Sequence, residues 1–155
     1  MKKILVLGIG NDILQDDGIG IRLVRDLSRM EDFPQGIQFE TTTLGGLEIV
    51  EIIRDYEKVI IIDAIKTANG VPGDISCYSP ADFRETLHLT NLHDINFLTS
   101  LELAKRVGIR IPEEVRIIAV EIIEDREFGA DLTPEMKEKY PGILSSVRRI
   151  VASCL

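Results

Sequence analysis

The chain contains few of the residues that build disulfide scaffolds, aromatic surfaces or membrane spans. It has two cysteines, Cys77 and Cys154, no tryptophan, and 5% aromatic residues. The cysteines form no C-x-x-C pair, which argues against a disulfide framework and against a thiolate metal site. We expect Cys77 to be a core residue of a strand and Cys154 to be inert. No apolar run reaches the roughly 20 residues that a membrane-spanning helix needs.

Basic residues are also fewer than acidic ones. The 155 residues include 18 Lys and Arg against 26 Asp and Glu, a net charge of −8. A phosphate-binding surface needs clustered basic residues, so nucleic acid and anionic membranes are disfavoured as partners. The apolar run after the two N-terminal lysines is short and no small-residue cleavage site follows it, which predicts a buried strand rather than a signal peptide. We expect one soluble, cytoplasmic domain over residues 1–155.

Apolar runs and amphipathic segments alternate along the chain. Continuous apolar runs, typical of strands covered on both faces, occur at 3–9, 58–64 and 115–122, and weaker strands are predicted at 37–43 and 73–79. Helical periodicity occurs at 17–30, 46–56, 94–107 and from 133 onward, where we expect Pro141-Gly142 to interrupt the last helix. The order βαβαββαβα predicts an α/β fold, a three-layer sandwich around a mainly parallel sheet.

The order of the strands decides where a site could lie. If the second and third strands flank the first, the direction of the chain reverses between strands one and three. Ligands bind such sheets in the crevice outside the carboxyl ends of those two strands. The segments that follow residues 9 and 64 are therefore the candidate site loops.

The first of these loops, "LGIGNDILQDDGIG" at 7–20, resembles a nucleotide-binding glycine loop. Gly8 and Gly10 match the dinucleotide fingerprint, but Ile13 stands where the third glycine belongs. Asp16 and Asp17 would also oppose a phosphate at the start of the helix. The P-loop pattern is absent from the sequence. A cation-facing loop is the better interpretation.

Three residues are candidates for that cation site. One acid at the helix start is explained by capping, and Asp17, next to Gly18, is the expected cap, which leaves Asp16 at the mouth of the crevice. Asp63 ends a central strand, where a buried carboxylate needs either loop amides or a metal. His93 begins a predicted helix, whose positive end favours a neutral, ligating imidazole. Such oxygen and nitrogen ligands suit zinc or nickel.

Other catalytic patterns are missing. His88, the second histidine, lies in a polar connecting segment and is expected at the surface. The sequence contains no H-E-x-x-H, no G-x-S-x-G and no cysteine beside a histidine. A lone histidine is more often structural than catalytic, so the residues alone leave the role of His93 open.

The residues resemble a known family, the hydrogenase maturation endopeptidases, which process the large subunit of nickel–iron hydrogenases. The similarity includes "GIGNDILQDDGIG", "VIIIDA" followed by "GVPGDI", a histidine opening the next helix, and "FGADLTPEM" before the last helix. One departure is "TTTLGGLE", where many relatives carry Gly-Thr ahead of the turn glycine. The resemblance implies a three-layer α/β/α sandwich with a five-stranded mixed sheet, one strand antiparallel.

The resemblance also implies an activity and a site. Asp16, Asp63 and His93 match the family's metal-contacting and catalytic residues, and no nucleotide cofactor is implied. The implied reaction removes a C-terminal extension from the hydrogenase large-subunit precursor after nickel insertion, with nickel supplied by that precursor. A chaperone or checkpoint protein that holds the same nickel site without cutting it is the alternative from a different class.

Overall fold

A computed structural model of the chain describes residues 3–82 and 97–155. The strands are β1 (Ile4–Ile9), β2 (Ile37–Thr42), β3 (Lys58–Ile65), β4 (Ile75–Tyr78) and β5 (Glu114–Glu121). The helices are α1 (Ile19–Ser28), α2 (Leu47–Ile53), α3 (Phe97–Arg106) and α4 (Pro134–Ser153), with short 3₁₀ turns at Gln15–Gly18 and Pro80–Asp82. This order confirms the predicted alternation of strands and helices.

The five strands form one mixed sheet in the order β2-β1-β3-β5-β4. β1 pairs in parallel with β2 and with β3, and β3 pairs in parallel with β5. β4 is antiparallel to β5 at the edge of the sheet. The expected α/β class and the five-stranded mixed sheet are confirmed, and β1 lies between β2 and β3, which is the condition on which the candidate site loops depend.

Two apolar clusters lie on opposite faces of the sheet. Ile60 and Ile62 of β3 pack with α1 and α4, whereas Val59 and Ile61 pack with α2 and α3. Side chains alternate between faces along a strand, so a strand that is covered on both sides needs apolar residues at every position. This double coverage explains the continuous apolar runs and makes the fold a three-layer α/β/α sandwich. Each buried isoleucine contributes roughly 1.5–3 kcal/mol relative to an exposed one.

The last helix is continuous through its proline, which corrects the predicted interruption. α4 runs from Pro134 to Ser153 with Pro141 inside it. Proline removes one backbone hydrogen bond from a helix interior. Here Met136 precedes the proline, Ile143 and Val147 follow it, and all three lie in the same apolar cluster, so packing on both sides of Pro141 maintains one axis.

Cys77 is exposed on β4, so its predicted core position is wrong. β4 is an edge strand, and its residues are at most partly buried. Within residues 3–82 and 97–155, no helix is long and apolar enough to cross a membrane.

Candidate functional site

The carboxyl ends of β1 and β3 lie side by side, and the start of α1 packs directly against them. A Cβ atom placed on Gly20 would lie 2.4 Å from the carbonyl oxygen of Ile62 and 2.5 Å from that of Ile9. Only glycine allows the helix to approach both strands this closely. The 3₁₀ turn Gln15–Gly18, which carries two carboxylates, is therefore held beside the end of β3.

Asp63 lies at this edge, as predicted from the end of the apolar run. Its side chain is fully buried, and its neighbour in the register of β5 is Ala119. The backbone amide of Ala64 donates a hydrogen bond of 2.8 Å to its Oδ1 atom. A neighbouring backbone amide, one of the two kinds of partner expected for this buried carboxylate, therefore stabilises Asp63.

Asp16 has zero solvent exposure, and its carboxylate is surrounded by hydrogen-bond donors. The amide of Thr133 donates to Oδ1 at 2.8 Å, and the amides of Ile123 and Glu124 donate to Oδ2 at 3.3 and 3.0 Å. The hydroxyl of Thr133 lies 2.9 Å from Oδ2 and 3.1 Å from Oδ1. A carboxylate offers about four acceptor positions, so these donors occupy most of them.

Asp16 therefore ties the turn after β1 to the segment between β5 and α4. Thr133 occupies the N-cap position of α4 as the sequence predicts, but its hydroxyl contacts Asp16 and does not cap the helix. This anchoring is a structural role that the sequence did not predict. The metal-contacting role of Asp16 stays a prediction.

Asp17, the expected helix cap, does not occupy the N-cap position. That position belongs to Gly18, which has no side chain for capping. The Oδ2 atom of Asp17 instead accepts a 3.0 Å hydrogen bond from the amide of Asn11. Asp17 is 4% exposed, and it lies in the same turn as Asp16. Asp17 is thus a second candidate for the carboxylate that faces the crevice.

Glu121 is a buried carboxylate at the same sheet edge that sequence reasoning missed. It ends β5, beside Ile65 of β3, and is 6% exposed. Its Oε1 accepts hydrogen bonds from the amide and the hydroxyl of Thr67, at 2.7 and 3.1 Å. Glu121 therefore anchors the loop after β3. The available signal was an acid near the end of the mainly apolar run at 115–122.

The predicted metal triad of Asp16, Asp63 and His93 is described only in part. His93 and His88 lie outside the described residues, so only Asp16, Asp17 and Asp63 have described positions. Across residues 3–82 and 97–155, no group of three or more His, Cys, Asp or Glu side chains is arranged to hold a metal ion. The described chain thus supplies carboxylates at the predicted edge, and the contribution of His93 remains a prediction.

Buried carboxylates from the turn after β1 and from the end of β3 lie at the carboxyl edge of the sheet, and they define an α/β protein with a candidate site at that edge. The fold is similar to a solved hydrolase, the hydrogenase maturating endopeptidase HybD from Escherichia coli. The TM-score is 0.74 at 25% sequence identity, and the match covers 98% of this chain and 93% of that one.

Sequence comparisons point the same way. Residues 21–150 match the sequence model HycI, hydrogenase maturation protease. The chain is 27% identical over 149 residues to the hydrogenase 2 maturation protease of Escherichia coli K12, covering 94% of this chain and 88% of that protein. It is 30% identical over 139 residues to the hydrogenase expression/formation protein HupD of Thiocapsa roseopersicina, covering 88% of this chain and 62% of HupD.

The chain belongs to the hydrogenase maturation protease family, a family of peptidases. The family predicted from the sequence motifs is confirmed. The match spans 62% of the length of HupD.

Proposed function

We propose that this protein is an endopeptidase that removes the C-terminal extension of a nickel–iron hydrogenase large-subunit precursor after nickel has been inserted. The observation that carries the proposal is the buried Asp63 at the carboxyl end of β3, beside the acidic turn that follows β1. Membership of the protease family supports the reaction class.

Nickel enters this proposal as part of the substrate. The carboxylates at the sheet edge are oxygen donors, and with an imidazole they form a donor set suited to nickel or zinc. We assign the imidazole to His93 from the family resemblance. No nucleotide or resident cofactor is required, and location in the cytoplasm belongs to the same proposal.

Within the acidic pair, we favour Asp17 over Asp16 as the carboxylate that contacts the precursor. The two oxygens of Asp16 accept hydrogen bonds from three backbone amides. If Asp16 turned its carboxylate toward the precursor, these hydrogen bonds would break and the segment between β5 and α4 would be released. Asp63 and Asp17 would then hold and orient the nickel-bearing end of the precursor. The nickel ion would act as the recognition element, or as a Lewis acid at the scissile carbonyl.

The proposal is tested by incubating the protein with nickel-loaded and nickel-free precursor and measuring both masses by mass spectrometry. We expect only the nickel-loaded precursor to lose a C-terminal fragment. Equal shortening of both would contradict nickel-gated recognition. Binding of the loaded precursor without any loss of mass would contradict peptidase activity and favour the checkpoint alternative.

A further inference from the structure

Cys77 and Cys154 come from distant parts of the sequence, and the fold places both on the face of the sheet that α1 and α4 cover. Cys77 stands opposite Ile118 in the antiparallel pairing of β4 with β5. Directly opposed residues of paired strands have their side chains on the same face, and Ile118 belongs to the apolar cluster on the α4 side. Cys77 therefore faces the layer of α4. Cys154 packs against that same cluster from the end of α4.

Both β4 and α4 run from the carboxyl edge of the sheet toward its amino edge. β4 does so because it is antiparallel to β5. α4 begins at the carboxyl edge, where Thr133 contacts Asp16. Leu155, just beyond its end, lines a cavity together with Ile4 and Lys58, the first residues of β1 and β3. The strand and the helix therefore travel in the same direction.

A contact near the start of β4 fixes the position of the helix along the strand. A Cβ atom placed on Gly73 would lie 3.1 Å from Cδ of Lys139 and 3.6 Å from Cδ1 of Ile143. From Gly73 the chain reaches Cys77 in about 13 Å, and from Ile143 the helix reaches Cys154 in about 16 Å. The eleven residues from Ile143 to Cys154 make about three helical turns, so both lie on the same face of α4. The two cysteines thus lie at a similar height on facing elements.

The two thiols also influence each other electrostatically. Burial raises the pKa of the Cys77 thiol, and the charge of Cys154 raises it further, whereas Arg116 lowers it. A nearby like charge disfavours a second thiolate, and this effect falls off with distance. Both cysteines are free thiols, Cys77 exposed and Cys154 partly buried, so a small reagent can reach them.

We propose that Cys77 and Cys154 form a redox-active thiol pair, which a low-molecular-weight disulfide oxidises to an intramolecular disulfide that ties the end of α4 to β4. No sequence motif indicates this pair, because its members meet only through the packing of α4 beside β4. Cys154 is the C-cap of α4. Helix ends open at little cost in free energy, so this residue can adjust to the geometry of the bond.

The reaction is thiol–disulfide exchange in two steps. One protein thiolate attacks a sulfur atom of the small disulfide and releases one small thiolate, which leaves a mixed disulfide. The second protein thiolate attacks the protein sulfur of that mixed disulfide and releases the other small thiolate. The two protein thiols are oxidised to one S–S bond, and the small disulfide is reduced to two thiols, which take up the two protons. This inference is independent of the proposed function.

The pair is tested by incubating the reduced, folded protein with oxidised glutathione and measuring its intact mass and its reactivity toward N-ethylmaleimide. We expect the wild type to lose the mass of two hydrogen atoms, to stay monomeric and to take up no N-ethylmaleimide afterwards. Peptide mapping should link Cys77 to Cys154. A wild-type protein that carries two glutathione groups, or that joins into dimers through these cysteines, would overturn the proposal.

Single variants and a displaced thiol provide the controls. Cys77→Ser and Cys154→Ser should each retain one glutathione on the remaining cysteine. The double change Cys77→Ser with Ser76→Cys moves the thiol one residue along β4, onto the opposite face of the sheet. It should form no bond to Cys154. A displaced thiol that closes the bond as readily as the wild type would show that the fold does not select the pair.

The contribution of the native fold is measured by equilibrating the protein with buffers of reduced and oxidised glutathione, with and without enough urea to unfold it. We expect the effective concentration of one thiol at the other to be at least about tenfold higher in the native protein. Oxidation should accordingly raise the urea concentration at the unfolding midpoint, and a reducing agent should reverse the rise. An effective concentration no higher in the native protein than in urea would overturn the proposal.

Discussion

The carboxylate of Asp16 accepts hydrogen bonds from both the amide and the hydroxyl of Thr133, which lies 117 positions further along the chain. The contact joins the turn after β1 to the first residue before α4. It places a fully buried carboxylate between two loops at the carboxyl edge of the sheet. The same bonds hold the segment between β5 and α4 against the turn that follows β1.

Asp16→Asn should destabilise the protein more than Asp17→Asn does. An asparagine at position 16 turns an NH₂ group toward backbone amides that are themselves donors, which leaves buried donors unsatisfied. We expect a loss of about 2–3 kcal/mol in the free energy of unfolding, measured by urea denaturation.

Asp17→Asn provides the control for that measurement. It should lose less stability and more processing activity than Asp16→Asn, because we place Asp17 at the precursor. Full activity in Asp17→Asn, together with an inactive but stable Asp16→Asn, would instead assign the metal-facing role to Asp16.

Asp63→Asn should abolish processing while the protein stays folded, because the isosteric amide fills the same volume without the negative charge. Activity is measured as loss of precursor mass, and folding as the thermal unfolding midpoint. A processing rate within tenfold of wild type would exclude Asp63 from the site.

His93→Ala is expected to lose processing in the same assay. The matched control is His88→Ala, since the sequence places His88 in a polar connecting segment and His93 at a helix start. Equal activity of the two histidine variants would remove His93 from the candidate site.

Gly20→Ala should disrupt the approach of α1 to the sheet. Its Cβ would lie within 2.5 Å of two backbone carbonyl oxygens, and backbone cannot move aside as a flexible side chain can. We expect a loss of about 2–4 kcal/mol in unfolding free energy, together with loss of processing. Gly142→Ala is the control: apart from the adjoining residues and backbone of its own helix, no atom of the described residues lies within 4 Å of the added methyl group, and alanine should stabilise α4 by about 0.5–1 kcal/mol. Comparable losses in both variants would contradict the steric explanation.

Tyr140→Phe should change how stability depends on pH. Burial, together with a hydrogen bond to Asp26, raises the pKa of the Tyr140 phenol well above its usual value near 10. The folded state therefore favours the protonated phenol, and its stabilising contribution is complete below pH 10 and declines as pH rises further.

The measurement is urea denaturation of wild type and Tyr140→Phe at pH 8 and pH 11. We expect the wild type to be more stable by about 1 kcal/mol at pH 8 and to lose that advantage by pH 11. An advantage that stays constant over this range would show that the phenol is not held protonated by the fold.

Much of the fold was predictable because the spacing of apolar residues over a few positions indicates strands and helices. Between Lys58 and Asp63 every residue of β3 is apolar because both faces of that strand are covered, and Asp63 follows near the carboxyl end of the strand. The family motif around Gly8 and Gly20 likewise follows from a local requirement for close approach between α1 and the strands.

Local pattern failed where distant segments decide the outcome. The chain itself suggested Asp17 as helix cap and Asp16 as the open carboxylate, yet Asp16 is enclosed by amides from the segment between β5 and α4. Pro141 likewise indicated a helix break, but one apolar cluster packs both sides of it.

The sequence alone was sufficient for the three-layer class, the protease family and the place of Asp63 near the end of a central strand. Only the tertiary structure placed β1 between β2 and β3, distinguished the environments of Asp16 and Asp17 and revealed the anchoring of Glu121. The physical reason is range. Periodicity and capping involve residues a few positions apart. Asp16 and Glu121 instead contact residues more than fifty positions away, which only the order of the strands in the sheet brings close.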